Sequence, residues 1–350
     1  MAAITPPIDL GSVLRDSISN GLAPEIAGIV QSIGAASVEL AGRLRNGPLS
    51  SQVTTGRRHS VINGGGNAQQ PLDVAAHEIC LAALASTPVR AVLSEQADEP
   101  ILLDASSSFA IAIDPLDGSG NISTNAPTGT IFSVIRVPAR LEPVATFLQS
   151  GRQICAAGFV MYGPATVMAL SVGHGTDLFV LGGGGAFIRT HTCIAIPTGT
   201  REFAINAANY RHWDPRLRIY IDDLVAGADG PRGEDFNMRW IAAVVADAYR
   251  ILLHGGIFLY PSDERDGYRD GRLRLLYEAQ PIAFVVEQAG GAAIDMTSPV
   301  LDRVPRELHE RCPLIFGSPD TVARVSEYLA APQFTGERSP LFAARGLFRL

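Results

Sequence analysis

The chain has no lysine. Its 350 residues include 28 in the Lys and Arg classes together, and every one of them is arginine. That absence excludes several reaction classes. Schiff-base catalysis and pyridoxal phosphate attachment need a lysine amine. The P-loop places a lysine on nucleotide phosphates, and the kinase ion pair is built on another. Any cation that holds an anionic ligand must therefore be an arginine, a histidine, a metal or a helix N-terminus. Charge is sparse as a whole, with 18% charged residues against a usual ~25%. The net charge of −7 offers no footprint for nucleic acid or an anionic membrane, although an acidic protein still binds phosphates where divalent metals bring the positive charge. Cysteine is scarce too. Cys80, Cys155, Cys193 and Cys312 form no C-x-x-C pair, which reads as buried thiols in a reducing compartment.

Long apolar runs are also missing. The N-terminal MAAITPPIDL has no basic segment ahead of an apolar one, so it does not read as a signal peptide. The long uncharged stretch 153–176 is interrupted by Tyr162-Gly163-Pro164 and by Gly173 and Gly175. It predicts a buried β-hairpin rather than a membrane span. The expectation is a cytoplasmic protein with neither nucleic acid nor membrane as partner. The seven histidines show no H-x-H or H-E-x-x-H spacing, and Gly182–Gly185 reads as a hairpin turn rather than a dinucleotide fingerprint.

What is present is a mixture of helices and short apolar strands. Ile26, Ile29, Ile33, Leu40 and Leu44 recur at helical spacing over 25–45. A polar, Gly-rich loop fills 49–72, and Asp73 opens a second helix through Leu84. Apolar runs at Val89–Leu93, Phe109–Ile113 and Ile131–Val137 predict buried strands, and more strands follow between Ala156 and His191. Helices are expected at 216–225, 239–254, 275–288 and 322–329, and strands at Gly256–Tyr260 and Leu314–Phe316. This alternation predicts a layered α/β architecture. A division near residue 200, at Pro197-Thr198-Gly199-Thr200, separates an N-terminal half (1–200) from a C-terminal half (201–335). A tail (336–350) follows.

The strongest chemical signal is Asp114-Pro115-Leu116-Asp117-Gly118-Ser119-Gly120-Asn121, directly after a predicted strand. Two carboxylates three residues apart at a strand end can face one another across a tight turn. Gly118 and Gly120 let backbone N–H groups approach an anion, and hard oxygen ligands beside a phosphate suit Mg²⁺. An Asx turn is the competing reading of the same residues. It is weakened by acids elsewhere: Glu95 ends the strand that starts at Val89, and Glu278 stands in the apolar run LLYEA, where an uncompensated carboxylate is costly. Acids on three elements plus a Gly-rich turn fit a two-metal phosphoesterase.

These residues resemble the D-P-L-D-G-[ST] signature of the inositol-monophosphatase and fructose-bisphosphatase superfamily, and further motifs narrow the resemblance to class I fructose-1,6-bisphosphatases. Residues 239–247 (RWIAAVVAD) resemble that family's R-Y-x-G-x-x-V-A-D. Residues 255–261 (GGIFLYP) match its strand almost letter for letter, and 271–278 (GRLRLLYE) with Pro281 and 287–291 (EQAGG) match the motifs that follow. The resemblance implies an αβαβα sandwich and Mg²⁺-dependent hydrolysis of fructose 1,6-bisphosphate to fructose 6-phosphate and phosphate, in gluconeogenesis or the Calvin cycle. It implies that Glu95, Asp114, the Leu116 carbonyl, Asp117 and Glu278 hold two Mg²⁺ ions, with Mn²⁺ as a substitute. It implies that Asp117, Gly118, Ser119, Gly120 and Arg274 bind the departing phosphate, while Asn206, Tyr260 and Arg272 hold the 6-phosphate. It further implies that Arg239 reaches in from a neighbouring subunit of a homotetramer or dimer, and that Asp73, with Glu95 and Gln96, prepares the attacking water.

Some positions depart from the family pattern. Asn67 stands for a loop acid, Gln96 for a glutamate, Gly120 for a serine, Ser123 for an aspartate and Trp240 for a tyrosine. Ser108-Phe109 and Ala23-Pro24-Glu25 replace residues of the family's AMP site, which implies weak or absent inhibition by AMP. Arg272 takes the place of a phosphate-binding lysine and keeps its charge. Two further readings stay open: a bisphosphatase that also accepts sedoheptulose 1,7-bisphosphate, and a catalytically weak sugar-phosphate-binding protein.

Overall fold

The computed structural model describes residues 8–47, 71–138 and 142–330. Most of the 49–72 loop, with Asn67, Arg57, Arg58 and His59, and the 336–350 tail lie outside these residues.

Three helices open the described chain: α1 (Leu10–Ser19), α2 (Pro24–Arg45) and α3 (Pro71–Leu84). Helix α1 is not evident from hydrophobic spacing. Asp9 starts it, its side chain accepting the Ser12 N–H at 2.7 Å, as an N-cap does. The same Asp9 bridges to Ile188 on the sheet beneath, so a long-range pairing fixes where this helix begins.

A large sheet follows from β1 (Ala91–Ser94), β2 (Ile101–Leu102), β3 (Phe109–Asp117) and β4 (Thr128–Arg136). After the short α4 (Pro143–Phe147) it continues with β5 (Ile154–Tyr162), β6 (Thr166–Ser171), β7 (Asp177–Leu181) and β8 (Phe187–His191). The order is β2-β1-β3-β4-β5-β6-β7-β8, with β1 parallel to β3 and every other pair antiparallel. The uncharged stretch 153–176 is the β5–β6 hairpin, and Gly182–Gly185 turns β7 into β8. Period-two alternation sends the side chains of this sheet to two different cores. On β3, Phe109, Ile111 and Ile113 face α1–α3, while Ala110 and Ala112 face the interior of the molecule.

A smaller sheet is built from β9 (Glu202–Ile205), β10 (Asn237–Met238), β11 (Ile257–Tyr260), β13 (Ala292–Ile294) and β15 (Leu314–Gly317), while β12 (Leu273–Arg274) and β14 (Arg311–Cys312) pair separately. Helices α6 (Val244–His254) and α7 (Gln280–Gln288) lie between the two sheets, and α5 (Pro215–Val225) and α8 (Pro319–Ala330) cover the outer face of the smaller one. The layers run helices, sheet, helices, sheet, helices: the αβαβα sandwich. Its central core joins Leu93, Phe159, Val245, Tyr277, Phe258 and Phe316, so the facing sides of the two sheets share one helical filling.

Two local expectations are corrected. The helix expected over 239–254 begins only at Val244. Residues just before it serve the small sheet instead, with β10 parallel to β9 and Arg239 N–H donating to the Phe203 carbonyl at 2.8 Å. Ladder pairing therefore holds the chain extended through Arg239, and Ala242, with φ 61°, keeps the helix from starting before Val244. Leu275–Gln288 is helical but opens with a π-helical turn, Leu275–Ala279, in which the Gln280 N–H bonds the Leu275 carbonyl. Pro281 accounts for it, because a proline lacks a donor and crowds the carbonyl four residues back, and widening the turn relieves both.

The close approach of α6 to the large sheet depends on Gly129 of β4. A Cβ there would stand 2.5 Å from the Val160 carbonyl oxygen and 2.7 Å from the Val245 side chain. Gly129→Ala is expected to cost about 1–3 kcal/mol, seen as a lower urea midpoint at unchanged m. An unaltered midpoint would show that the two layers can separate there freely.

Candidate active site

The β3–β4 ladder slips between Asp114 and Asp117. That irregularity swings the second carboxylate round toward the first. Asp114 Oδ1 accepts the Leu116 N–H at 3.0 Å, and the Thr130 hydroxyl donates to the Pro115 carbonyl at 2.9 Å. The Asx turn is therefore real, and it positions the acids rather than competing with a functional role. Gly118 then turns the chain with φ 73°, and a 3₁₀ segment starts at Ser119, so the N–H groups of the glycine-rich turn lead a helical end.

Glu95 follows β1 directly, its N–H donating to the Ile113 carbonyl at 3.1 Å, and its carboxyl hydrogen-bonds Asp114. Glu278 arrives from the opposite side on the π-helical turn, where its Oε2 accepts the Arg274 backbone N–H at 2.5 Å. Asp114, Asp117 and Glu278 each offer a carboxylate oxygen within 4.8 Å of the others. Asp114 and Glu278 are buried, as is Glu95.

The electrostatics follow from that crowding. Burial, then the charges of Glu95, Asp117 and Glu278, push the Asp114 carboxyl well above its usual range. Burial, then Asp117 and Glu95, do the same to Glu278. Burial, then Glu95, lifts Asp117 to about 7, although the Val245 N–H at the start of α6 favours its charged form. The other Asp117 oxygen, Oδ2, is buried with no hydrogen-bond partner among the described residues. An all-oxygen donor set, mutually repelling and with an orphaned buried oxygen, fits hard divalent cations such as Mg²⁺ or Mn²⁺.

Around this centre the remaining candidates sort by element. Arg274, 6% exposed, donates Nη1 to the His309 carbonyl at 2.9 Å and borders Glu278. Arg272 is half-buried, and its charge counteracts the burial that raises the Tyr260 hydroxyl pKa. Tyr260 also contacts Trp240, at 5.8 Å between ring centroids. Asn206 caps a 3₁₀ turn, its Oδ1 accepting the Ala208 N–H at 3.2 Å. Arg239 is exposed and reaches Glu202 of its own chain at 3.3 Å. Asp73 is buried in the first turn of α3, outside the carboxylate trio, and the Gln96 N–H donates to the Ser94 hydroxyl, which also bonds His77.

Two neighbours escaped sequence reasoning. The buried Tyr277 hydroxyl bonds His309 Nδ1 at 2.9 Å, and His309 Nε2 lies 3.3 Å from the Asp98 carbonyl, so this ring ties the π-helical turn to the loop after Glu95. Arg311, opposite Arg274 in the β12–β14 ladder, has its charged form disfavoured by burial and then by Arg274 and Arg272. In the sequence it stands in HERCP, between Glu310 and Cys312, where no motif or spacing singles it out.

Comparison with known proteins identifies the family. Residues 19–192 match the family described as Fructose-1-6-bisphosphatase, N-terminal domain, and residues 196–330 match Fructose-1-6-bisphosphatase, C-terminal domain. The chain is 47% identical over 333 residues to a class 1 fructose-1,6-bisphosphatase of Sinorhizobium medicae, covering 94% of each. It is 48% identical over 308 residues to one of Azorhizobium caulinodans, covering 87% of this chain and 93% of the other. The crystal structure of Leishmania major fructose-1,6-bisphosphatase in holo form superposes with a TM-score of 0.84 at 31% identity, covering 93% of this chain and 99% of that one.

Proposed function

The chain belongs to the class 1 fructose-1,6-bisphosphatase family, and from that membership we propose how its acidic centre works. The protein hydrolyses fructose 1,6-bisphosphate to fructose 6-phosphate and phosphate. The observation that carries the assignment of the centre is the convergence of Asp114, Asp117 and Glu278 beside Arg274.

Glu95, Asp114, the Leu116 carbonyl, Asp117 and Glu278 are the residues that would hold two divalent cations. When bound, such ions supply neutralising charge at the phosphoryl oxygens and a lowered pKa for a water. The chain's own groups do the rest. Backbone N–H groups of Gly118–Gly120, the Ser119 hydroxyl and the planar Arg274 guanidinium receive the departing phosphate. Asn206, Tyr260 and Arg272 anchor the 6-phosphate, with Arg239 contributed across an interface of a dimer or tetramer. That anchoring fixes the reacting phosphorus relative to the acids. Asp73 is the proton acceptor in this reading. Gln96 orients the attacking water but offers no basic oxygen. No helix among the described residues is long and apolar enough to cross a membrane; the family membership is what supports a cytoplasmic setting, in gluconeogenesis or the Calvin cycle.

The test is phosphate release from fructose 1,6-bisphosphate with Mg²⁺ or Mn²⁺, using Glu95→Gln as a control. Release should need the cation and fall about 10²-fold or more in the control. Cation-independent release from the parent, or full activity of Glu95→Gln, would refute the metal assignment. Parallel kinetics on sedoheptulose 1,7-bisphosphate show whether the longer sugar is also a substrate.

A further inference from the structure

The segment between β11 and β12 carries an arrangement that none of the roles above explains. It is knotted by its own backbone. The Tyr268 carbonyl accepts from Asp263 N–H at 3.1 Å and from Gly271 N–H at 3.0 Å, and the Tyr268 N–H donates to the Arg265 carbonyl at 3.0 Å. Gly271 is required here, with φ 83° and a would-be Cβ 2.2 Å from the Cys312 backbone. The knot sets the half-buried Tyr268 ring against two guanidiniums: Arg265 Cζ is 4.1 Å and Arg272 Cζ 4.3 Å from its centroid.

The two arginines are held differently. Buried Asp263 grips Arg265 with both oxygens, at 3.0 Å to Nε and 2.5 Å to Nη2. Arg265 is thus fixed and neutralised. Arg272 makes no ion pair with a carboxylate among the described residues, and it shares its surroundings with the charges of Arg274 and Arg311. Mutual repulsion and a flexible stem both favour its swinging out into solvent. A tyrosine face attracts a guanidinium without neutralising it, so Arg272 stays in place and keeps its full charge for an anion.

We propose that Tyr268 is a positioning residue: its ring, braced by Arg265 and Asp263, holds Arg272 in the orientation that receives the substrate's distal phosphate. This rests on the reading of Arg272 as a 6-phosphate ligand. The role needs the aromatic face and not the hydroxyl.

The experiment is steady-state kinetics with fructose 1,6-bisphosphate at saturating Mg²⁺ on Tyr268→Leu, Tyr268→Phe, Arg272→Gln and the Tyr268→Leu/Arg272→Gln double variant, with melting curves on each. Tyr268→Leu should raise KM roughly three- to thirtyfold, the range a cation–π contact spans, with kcat and melting temperature little changed. Tyr268→Phe should restore KM. The double variant should match Arg272→Gln alone, since the ring then has nothing to position. An unchanged KM in Tyr268→Leu beside a raised KM in Arg272→Gln overturns the proposal. So do additive effects in the double variant, or a failure of Tyr268→Phe to restore KM. If Arg272→Gln leaves KM unaltered, it is the reading of Arg272 as a phosphate ligand that fails.

Discussion

Asp114→Asn is expected to abolish turnover and at the same time raise the stability of the metal-free protein. Asparagine keeps the shape and still has an oxygen to accept the Leu116 N–H, so the turn survives. What disappears is a carboxyl that burial and three neighbouring acids, Glu95, Asp117 and Glu278, make hard to ionise. Asparagine escapes the penalty of either protonating or ionising that buried carboxyl on folding, which should add about 1–2 kcal/mol, while losing an anionic oxygen ligand should cut kcat about 10³-fold or more at saturating Mg²⁺. Melting temperature without metal and phosphate release with metal are the two measurements. A variant that is inactive and also less stable would mean that Asp114 holds the fold together; an active one would place the metal elsewhere.

The second large effect is a pH dependence that the metal should invert. In the unfolded chain Asp117 loses its proton near 3.8, whereas in the folded chain it does so at about 7, and Asp114 and Glu278 are displaced in the same direction. Between these values the folded state binds more protons than the unfolded one. Stability contributed by the cluster is therefore complete at low pH and is lost as pH rises through 7. For Asp117 alone the span from 3.8 to about 7 sets an upper limit of about 4 kcal/mol. A bound divalent cation takes the place of those protons, so its stabilising effect should grow with pH. The rise in melting temperature on adding Mg²⁺ should be clearly larger at pH 8 than at pH 6. An Mg²⁺ effect that is the same at both would show that the ion is not held by these carboxylates.

The parts of the molecule that could be read from sequence are those whose cause is local. The turn at Asp114–Asn121 is specified by residues adjacent in the chain, and its two acids do meet. Glu278 was legible because a carboxylate inside an apolar run is expensive unless it serves something. The strands from β3 to β8 were legible from short apolar runs and the breakers between them. The rest is set at a distance. Helix α1 starts where Asp9 reaches the far strand. Residues 239–243 carry helical spacing, but β9 holds the chain through Arg239 and Ala242 takes a positive φ of 61°, so the helix waits until Val244. Arg311 enters the site only because Gly271 lets β12 lie against β14. The ring of Tyr268 meets Arg272 through a loop whose conformation has no periodic signal.

The carboxylate trio draws its members from different layers. Asp114 and Asp117 end a strand of the large sheet, and Glu278 rides on the turn that leads into the helix sandwiched between the sheets. Asp117 also receives the first turn of α6, the other helix of that filling. The trio therefore works as a caliper. Its gap, with the carboxylate oxygens within 4.8 Å of one another, measures how far the inner helices sit from the large sheet. Anything that wedges or tightens that seam, at whatever distance from the acids, acts on catalysis through the width of this gap.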